Sequence, residues 1–197
     1  MSDMLVARQK MVDGQVRPSD VTDLRIIDAM LTVPREAFLP ADRQALAYLD
    51  TDIDIGDAET SKAFLIKPVV LARMIQAAAI TATDRVLIVG SATGYAAAIV
   101  SQLAGEVLET DPGRPAIGCA EKAPYDVIVI DGATEIVPDE LYKQLKVGGR
   151  LVGVFAITPP PRATLVTRSG TDYGSRVLFD ANVPVLSGLE HLPAFAF

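Results

Sequence analysis

The sequence predicts an α/β domain built on a doubly wound, mainly parallel sheet of Rossmann-like type. Three observations carry this. From residue 84 onward, short apolar runs alternate with helix-like segments. Three of those runs (86–89, 126–131 and 150–156) are nearly unbroken in apolar character, as strands are when both sheet faces are covered. The first run, Val86-Leu87-Ile88-Val89, breaks into the small-residue turn Gly90-Ser91-Ala92-Thr93-Gly94, and Tyr95 then opens a helix.

Taken in order, residues 1–80 read as a helical N-terminal extension packed on a core domain of residues 81–197. Ser19 or Asp20 can cap a helix whose apolar positions Val21, Leu24, Ile27 and Met30 recur at three-residue spacing. Val33-Pro34-Arg35 ends that helix, because a proline restricts the residue before it. Phe38-Leu39-Pro40 reads as a buried corner, and the acidic, polar stretch 50–61 reads as a loop. Pro68 suits the first turn of a second helix, which runs through Val69, Ala72, Met74, Ile75 and Ala79. Strands are then expected at 86–89, 106–109, 126–131, 150–156 and 164–168, with helices at 95–103 and 139–145. Gly148-Gly149 delivers the chain into a strand. The turn signals Ser169-Gly170-Thr171 and Asn182-Val183-Pro184 imply a C-terminal antiparallel hairpin at the sheet edge.

Composition narrows the function classes. The 197 residues suit one compact unit, and half of them are hydrophobic. The 25 acidic residues outnumber the 18 basic ones, for a net charge of -7. Binding a phosphate backbone needs the opposite balance, so no nucleic-acid partner is expected. No run approaches the roughly 20 apolar residues that span a bilayer. Met1-Ser2-Asp3-Met4 lacks the basic-then-apolar pattern of a signal peptide, so a cytoplasmic location without membrane attachment is expected. The single Cys119 rules out an internal disulfide and argues against a multi-thiolate metal site, and no metal-ligand spacing is present.

The candidate site lies at the carboxyl ends of the strands, where open parallel sheets hold ligands. Gly90 and Gly94 let the backbone pass close to a ligand, and the small Ser91 and Ala92 keep the turn open. On spacing alone an ordinary strand-to-helix turn would look the same. Glu109 ends the next strand candidate, where a carboxylate can accept hydrogen bonds from two ribose hydroxyls; a solvated strand-end acid is the competing reading. Asp131 ends the most apolar run of the chain and reads either as a ligand contact or as a turn aspartate. Lys67, just before Pro68, could face an anionic substrate or simply be solvated. His191 reads as structural or exposed and Cys119 as inert, while Tyr48, Tyr125 and Phe155 read as packing residues. The pattern implies an enzyme that uses a nucleoside cofactor, with no catalytic side chain assigned. A dinucleotide oxidoreductase is the weaker reading, because the turn lacks the full three-glycine spacing.

Longer stretches carry a resemblance. They are Met11-Val12-Asp13-Gly14-Gln15-Val16, Val33-Pro34-Arg35-Glu36-Ala37-Phe38-Leu39-Pro40, Ala120-Glu121-Lys122-Ala123-Pro124-Tyr125-Asp126-Val127-Ile128 and Gln144-Leu145-Lys146-Val147-Gly148-Gly149-Arg150-Leu151-Val152. In this order the chain resembles the protein-L-isoaspartate O-methyltransferase family. The resemblance implies a class I methyltransferase fold binding S-adenosyl-L-methionine. Gly90, Ser91, Ala92 and Gly94 match the loop around the methionine part, and Glu109 matches the ribose-binding acid. It further implies a protein or peptide substrate whose isoaspartyl carboxylate is methylated, the ester then closing to a succinimide in a repair reaction. A carboxylate, with a reference pKa of about 4, is already a nucleophile at neutral pH. Alignment and water exclusion can then supply most of the acceleration. The alternative is a catalytically impaired, methyltransferase-like binding or regulatory module.

Three departures from the family pattern stand out. Ile66 occupies the position of a serine associated with substrate handling. Ala92 stands at a common glycine position, and Ile88 stands where many relatives carry an acid that holds the cofactor's amino group. Between Glu109 and Tyr125 the chain is too short for the helix and strand that the family places there. Either the fold is trimmed, or a segment is missing between Asp111 and Gly118 and the chain is interrupted. The second is favoured at this point, because a trimmed fold would leave an apolar sheet face uncovered.

Overall fold

The computed structural model describes residues 3–56, 63–111 and 114–191. Its centre is a six-stranded sheet. The strands are β3 (Arg85–Val89), β4 (Glu106–Glu109), β5 (Tyr125–Thr134), β6 (Leu145–Phe155), β7 (Arg162–Ser169) and β8 (Asp172–Asp180), in the spatial order β4-β3-β5-β6-β7-β8. The first four in that row are parallel and the last two run antiparallel.

Alternation along each strand sends neighbouring residues to opposite faces. Val86, Ile88, Val127, Val129 and Val152 join the core on one face. That face is covered by α3 (Pro68–Ala78), by α4 (Tyr95–Val100) and by the N-terminal segment. Leu87, Val89, Ile128, Ile130 and Leu151 face the other way, onto Leu141 and Tyr142 of α5 (Asp139–Lys143). Both faces are thereby sealed, as the unbroken apolar runs require.

The N-terminal segment holds α1 (Asp3–Met11), a π-helical turn at Val12–Val16 and α2 (Leu24–Thr32). Arg8 ties the first helix to the end of the second through the carbonyls of Leu31 and Thr32 and an ion pair with Glu36 at 3.1 Å. The cap of α2 is Asp23, whose carboxylate accepts from the Arg25 N–H at 3.0 Å, not Ser19 or Asp20. Asp20 instead sits in the left-handed region at φ 62°. The stretch read as helix and loop also contains a small antiparallel pair, β1 (Ile53–Asp54) with β2 (Phe64–Leu65); residues 57–62 of the expected loop lie outside the described ones.

Several boundaries shift. α4 stops at Val100 and α5 at Lys143, both short of expectation, while β5 and β6 run longer. β7 and β8 form the expected hairpin around Gly170. Asn182-Val183-Pro184, however, does not turn a hairpin. It leads into a segment that pairs in parallel with the far end of β5: Ala133 N donates to Pro184 O at 2.8 Å and Leu186 N donates to Ala133 O at 3.0 Å. β6 occupies the other side of Ala133, so this segment takes the lane that β3 leaves when it turns away at Gly90.

The short crossover from β4 to β5 holds neither the α-helix nor the strand of the family pattern among its described residues. Arg114 N donates to Asp111 O at 2.9 Å, and the crossover then holds two 3-10 turns, Pro115–Ile117 and Ala120–Lys122. Gln144 clamps it: its amide receives the Cys119 N–H at 2.9 Å and donates to Ile117 O at 2.7 Å. Tyr125 OH donates to Cys119 O at 2.8 Å. Ala116, Cys119 and Ala123 pack against the second core and replace part of the cover a helix would give.

Candidate functional site

The bend after β3 depends on two left-handed residues, Gly90 (φ 81°) and Gly94 (φ 80°), where an L side chain is strained. It is braced by hydrogen bonds from Gly90 N to Thr110 Oγ1 at 3.2 Å, Gly94 N to Ser91 Oγ at 3.1 Å and Tyr95 N to Thr93 Oγ1 at 3.2 Å. Ser91 is therefore a buried brace, while Ala92 is exposed.

Glu109 is brought to this bend. It pairs in register with Ile88, is exposed, and its Oε1 lies 4.0 Å from where a Cβ on Gly94 would stand. Parallel pairing of adjacent strands thus puts an acid one strand over from the turn, and the Cβ position of Gly94 is bordered by Glu109 and by Phe38 Cε1, also at 4.0 Å. Gly90 is different. A Cβ there would meet Leu186 Cδ1 at 2.2 Å, and one on Gly132 would meet Leu186 Cδ2 at 2.7 Å. The C-terminal segment packs onto these two glycines, so the Gly90 side of the bend is filled, whereas a Cβ at Gly94 would meet only ordinary van der Waals contacts.

Asp131 lies beside the bend in a β-bulge, where β5 slips against β6 between Val129 and Ala133. It is 3% exposed, and its Oδ1 completes no hydrogen bond. Burial pushes its carboxyl up to about 7, against the pull of the Arg35 charge, with Glu109 adding to the rise. Arg35 is fully buried. Its Nε donates to Ala47 O at 2.8 Å, its Nη2 donates to Ile66 O at 2.7 Å, and its guanidinium sits 4.8 Å from the Tyr95 ring centroid. Arg35 Nη1 and Tyr95 OH, like Asp131 Oδ1, complete no hydrogen bond of good geometry.

The remaining sequence candidates fall away from the bend. Lys67 pairs with Asp52 at 3.5 Å, and both line a cavity of about 310 Å³ with residues 182–184. Ile66, at the family's serine position, is 1% exposed and offers its carbonyl to Arg35. His191 is exposed, Tyr48 and Tyr125 are buried, and Phe155 lines a separate groove. Sequence reasoning missed Arg35, Thr110 and Leu186. An arginine inside the corner Val33-Pro34-Arg35-Glu36 was a usable signal for the first. The other two depend on tertiary contacts.

Comparisons with known proteins decide the family. The family model for Protein-L-isoaspartate(D-aspartate) O-methyltransferase matches residues 7–111 and 107–156. The chain belongs to the protein-L-isoaspartate O-methyltransferase family. Among its relatives, the Protein-L-isoaspartate O-methyltransferase 2 of Anaeromyxobacter is 37% identical over 169 residues, covering 74% of this chain and 68% of that one. The Koribacter versatilis protein-L-isoaspartate O-methyltransferase is 32% identical, covering 95% of this chain and 94% of its own. That alignment runs over 213 positions, more than the 197 residues here, so the relative carries residues this member lacks. The two blocks of the family match meet at the end of β4, which places the loss in the crossover.

Two solved structures share the fold. One is a protein-L-isoaspartate O-methyltransferase with a TM-score of 0.79 and 22% identity, covering 93% of this chain and 67% of that one. The other is a Plasmodium falciparum chain described as a protein-L-isoaspartate O-methyltransferase in complex with S-adenosyl-L-homocysteine, with a TM-score of 0.73 and 14% identity, covering 95% and 99%. The donor set here is compatible with such a nucleoside: an exposed carboxylate beside a glycine, and a buried acid behind the bend. On the base side, β4 is the last strand of the sheet among the described residues.

Proposed function

We propose that the chain is an S-adenosyl-L-methionine-dependent methyltransferase acting on the carboxylate of isoaspartyl residues in damaged proteins, a repair activity carried out in the cytoplasm. The observation that carries the reading is Glu109 beside Gly94. A carboxylate there can accept both ribose hydroxyls, charge-assisted bonds stronger than neutral ones. Gly94 keeps the approach clear, Ser91 and Thr93 hold the bend in shape, and Gly90 and Ala92 complete its backbone. Asp131 contributes a buried acid behind the bend. When bound, the cofactor supplies an activated methyl group on a sulfonium. The acceptor carboxylate is already ionised at neutral pH, so this chain need only bind, orient and exclude water. Lys67 and the cavity it shares with Asp52 are the features we assign to the acceptor. No helix among the described residues is long and apolar enough to cross a membrane, which is compatible with this location.

Calorimetric titration with S-adenosyl-L-homocysteine, together with transfer of labelled methyl to an isoaspartyl peptide, tests the reading. Binding and transfer are expected, and Glu109→Gln should weaken binding by about 10- to 100-fold, the loss of charge-assisted bonds of about 1.5–3 kcal/mol. Binding unchanged in E109Q would remove Glu109 from the site. Binding without transfer would remove the isoaspartyl acceptor.

A further inference from the structure

The mechanism above leaves a buried group unexplained. Asp131 sits in a bulge at the carboxyl end of β5, next to the glycine bend, with one oxygen unpartnered. Arg35 and Tyr95 interact with each other in the same region, although Arg35 Nη1 and Tyr95 OH complete no hydrogen bond of good geometry. Bulges re-aim side chains, and unsatisfied buried polar atoms are uncommon enough to need a cause.

We propose that Asp131 couples the binding of a cationic sulfonium nucleoside to the release of a proton, and so discriminates the charged methyl donor from its uncharged thioether product. This rests on the cofactor reading above. The groups facing Asp131 are few. Arg35 acts on it from the turn Arg35–Phe38 and Glu109 from the end of β4. The C-terminal segment brings the uncharged Leu186 onto the neighbouring Gly132. Arg35 favours the carboxylate, whereas burial and Glu109 oppose it, and burial is the largest of the three influences. Because its carboxyl is raised to about 7, this buried acid responds in its protonation to a charge placed beside it. A fixed positive charge arriving at the bend tips it to the carboxylate, and the proton leaves to solvent. A neutral thioether brings no such charge. Arg35, held by the Ala47 and Ile66 carbonyls, is the positioning residue that keeps this balance.

The test is calorimetric titration of the full chain with S-adenosyl-L-methionine and with S-adenosyl-L-homocysteine, in buffers of different ionisation enthalpy. For an acid titrating near neutrality, donor affinity should fall about tenfold from about pH 8 to about pH 6, with close to one proton released per donor bound below neutrality. Product affinity should change much less. Asp131→Asn should flatten the donor profile and narrow the gap between the two ligands; the amino group that both ligands carry sets the baseline in that variant. The wild-type comparison of two ligands stands even if the variant fails to fold. Parallel profiles for donor and product, or no buffer-dependent proton release, would overturn this inference and leave the cofactor reading intact. Binding of neither ligand at any pH would overturn both.

Discussion

Substituting Gly90 by alanine isolates what the C-terminal segment does at the bend. Two costs combine in Gly90→Ala. The residue is held at φ 81°, which for an L side chain costs about 1–2 kcal/mol. Its new Cβ would stand 2.2 Å from Leu186 Cδ1 and 2.8 Å from Cδ2, so Leu186 must move, an overpacking cost of about 1–3 kcal/mol. The sum is a loss of about 2–5 kcal/mol. Gly132→Ala meets the same leucine at 2.7 Å without a left-handed φ, so it should carry only the second cost, about 1–3 kcal/mol. Leu186→Ala clears the closest contacts at Gly90, whereas at Gly132 the Pro184 carbonyl, 3.2 Å from the Cβ position, remains. Urea unfolding followed by circular dichroism gives the four stabilities of each cycle. G90A and L186A should couple by about 1–3 kcal/mol, with the left-handed cost persisting in the double variant. If G90A matched wild type, or if the two substitutions were additive, Leu186 would not occupy the space beside Gly90 and the filled side of the bend would have to be redrawn.

Other outcomes follow from the same physical terms. Gln144→Ala should cost about 2–3 kcal/mol, because the Cys119 N–H and the Ile117 carbonyl lose their partner in a buried setting, and hydrogen exchange should quicken over residues 114–124. Arg35→Met preserves bulk but strands the Ala47 and Ile66 carbonyls, so a loss of about 3 kcal/mol in urea is expected; Arg35→Lys should restore only part, since an ammonium lacks the planar fork. Asp23→Ala should cost about 1 kcal/mol at neutral pH as a lost cap. The Arg25 hydrogen bond holds the Asp23 carboxyl below its ordinary value. Its contribution is therefore complete above the unfolded value of about 4 and disappears as pH falls through the lower folded one. The gap between wild type and D23A should close in acid, and a gap that widened there would refute the assignment.

What the sequence disclosed tracks how local each cause is. β3 and the middle of β5 were legible because a strand buried on both faces needs nothing but its own apolar run, and the bend and Glu109 were legible because parallel pairing brings consecutive strand ends together. β8 was overlooked as a strand because it lies on an exposed edge and carries no apolar alternation. The far ends of β5 and β6 were cut short because Gly132, Ala133 and Lys146 owe their strand state to pairing partners rather than to propensity. Asp23 displaced Ser19 and Asp20 as the cap because several residues could cap and only the tertiary entry angle of α2 chooses among them. The crossover was hard to read for a similar reason: the side chain that clamps it, Gln144, lies on a distant part of the chain. Arg35 and Leu186 shape the site from segments far from the bend in sequence.

The sheet's early end at β4 bears on which part of a nucleoside this protein can recognise. A sugar gripped at Glu109 would leave its purine reaching past the outermost strand into solvent. Selection would then operate from the ribose inward and be indifferent to the outer rim of the ring. Analogues with a replaced base or a bulky tag there should compete nearly as well as the parent molecule, whereas loss of a ribose hydroxyl should be punished.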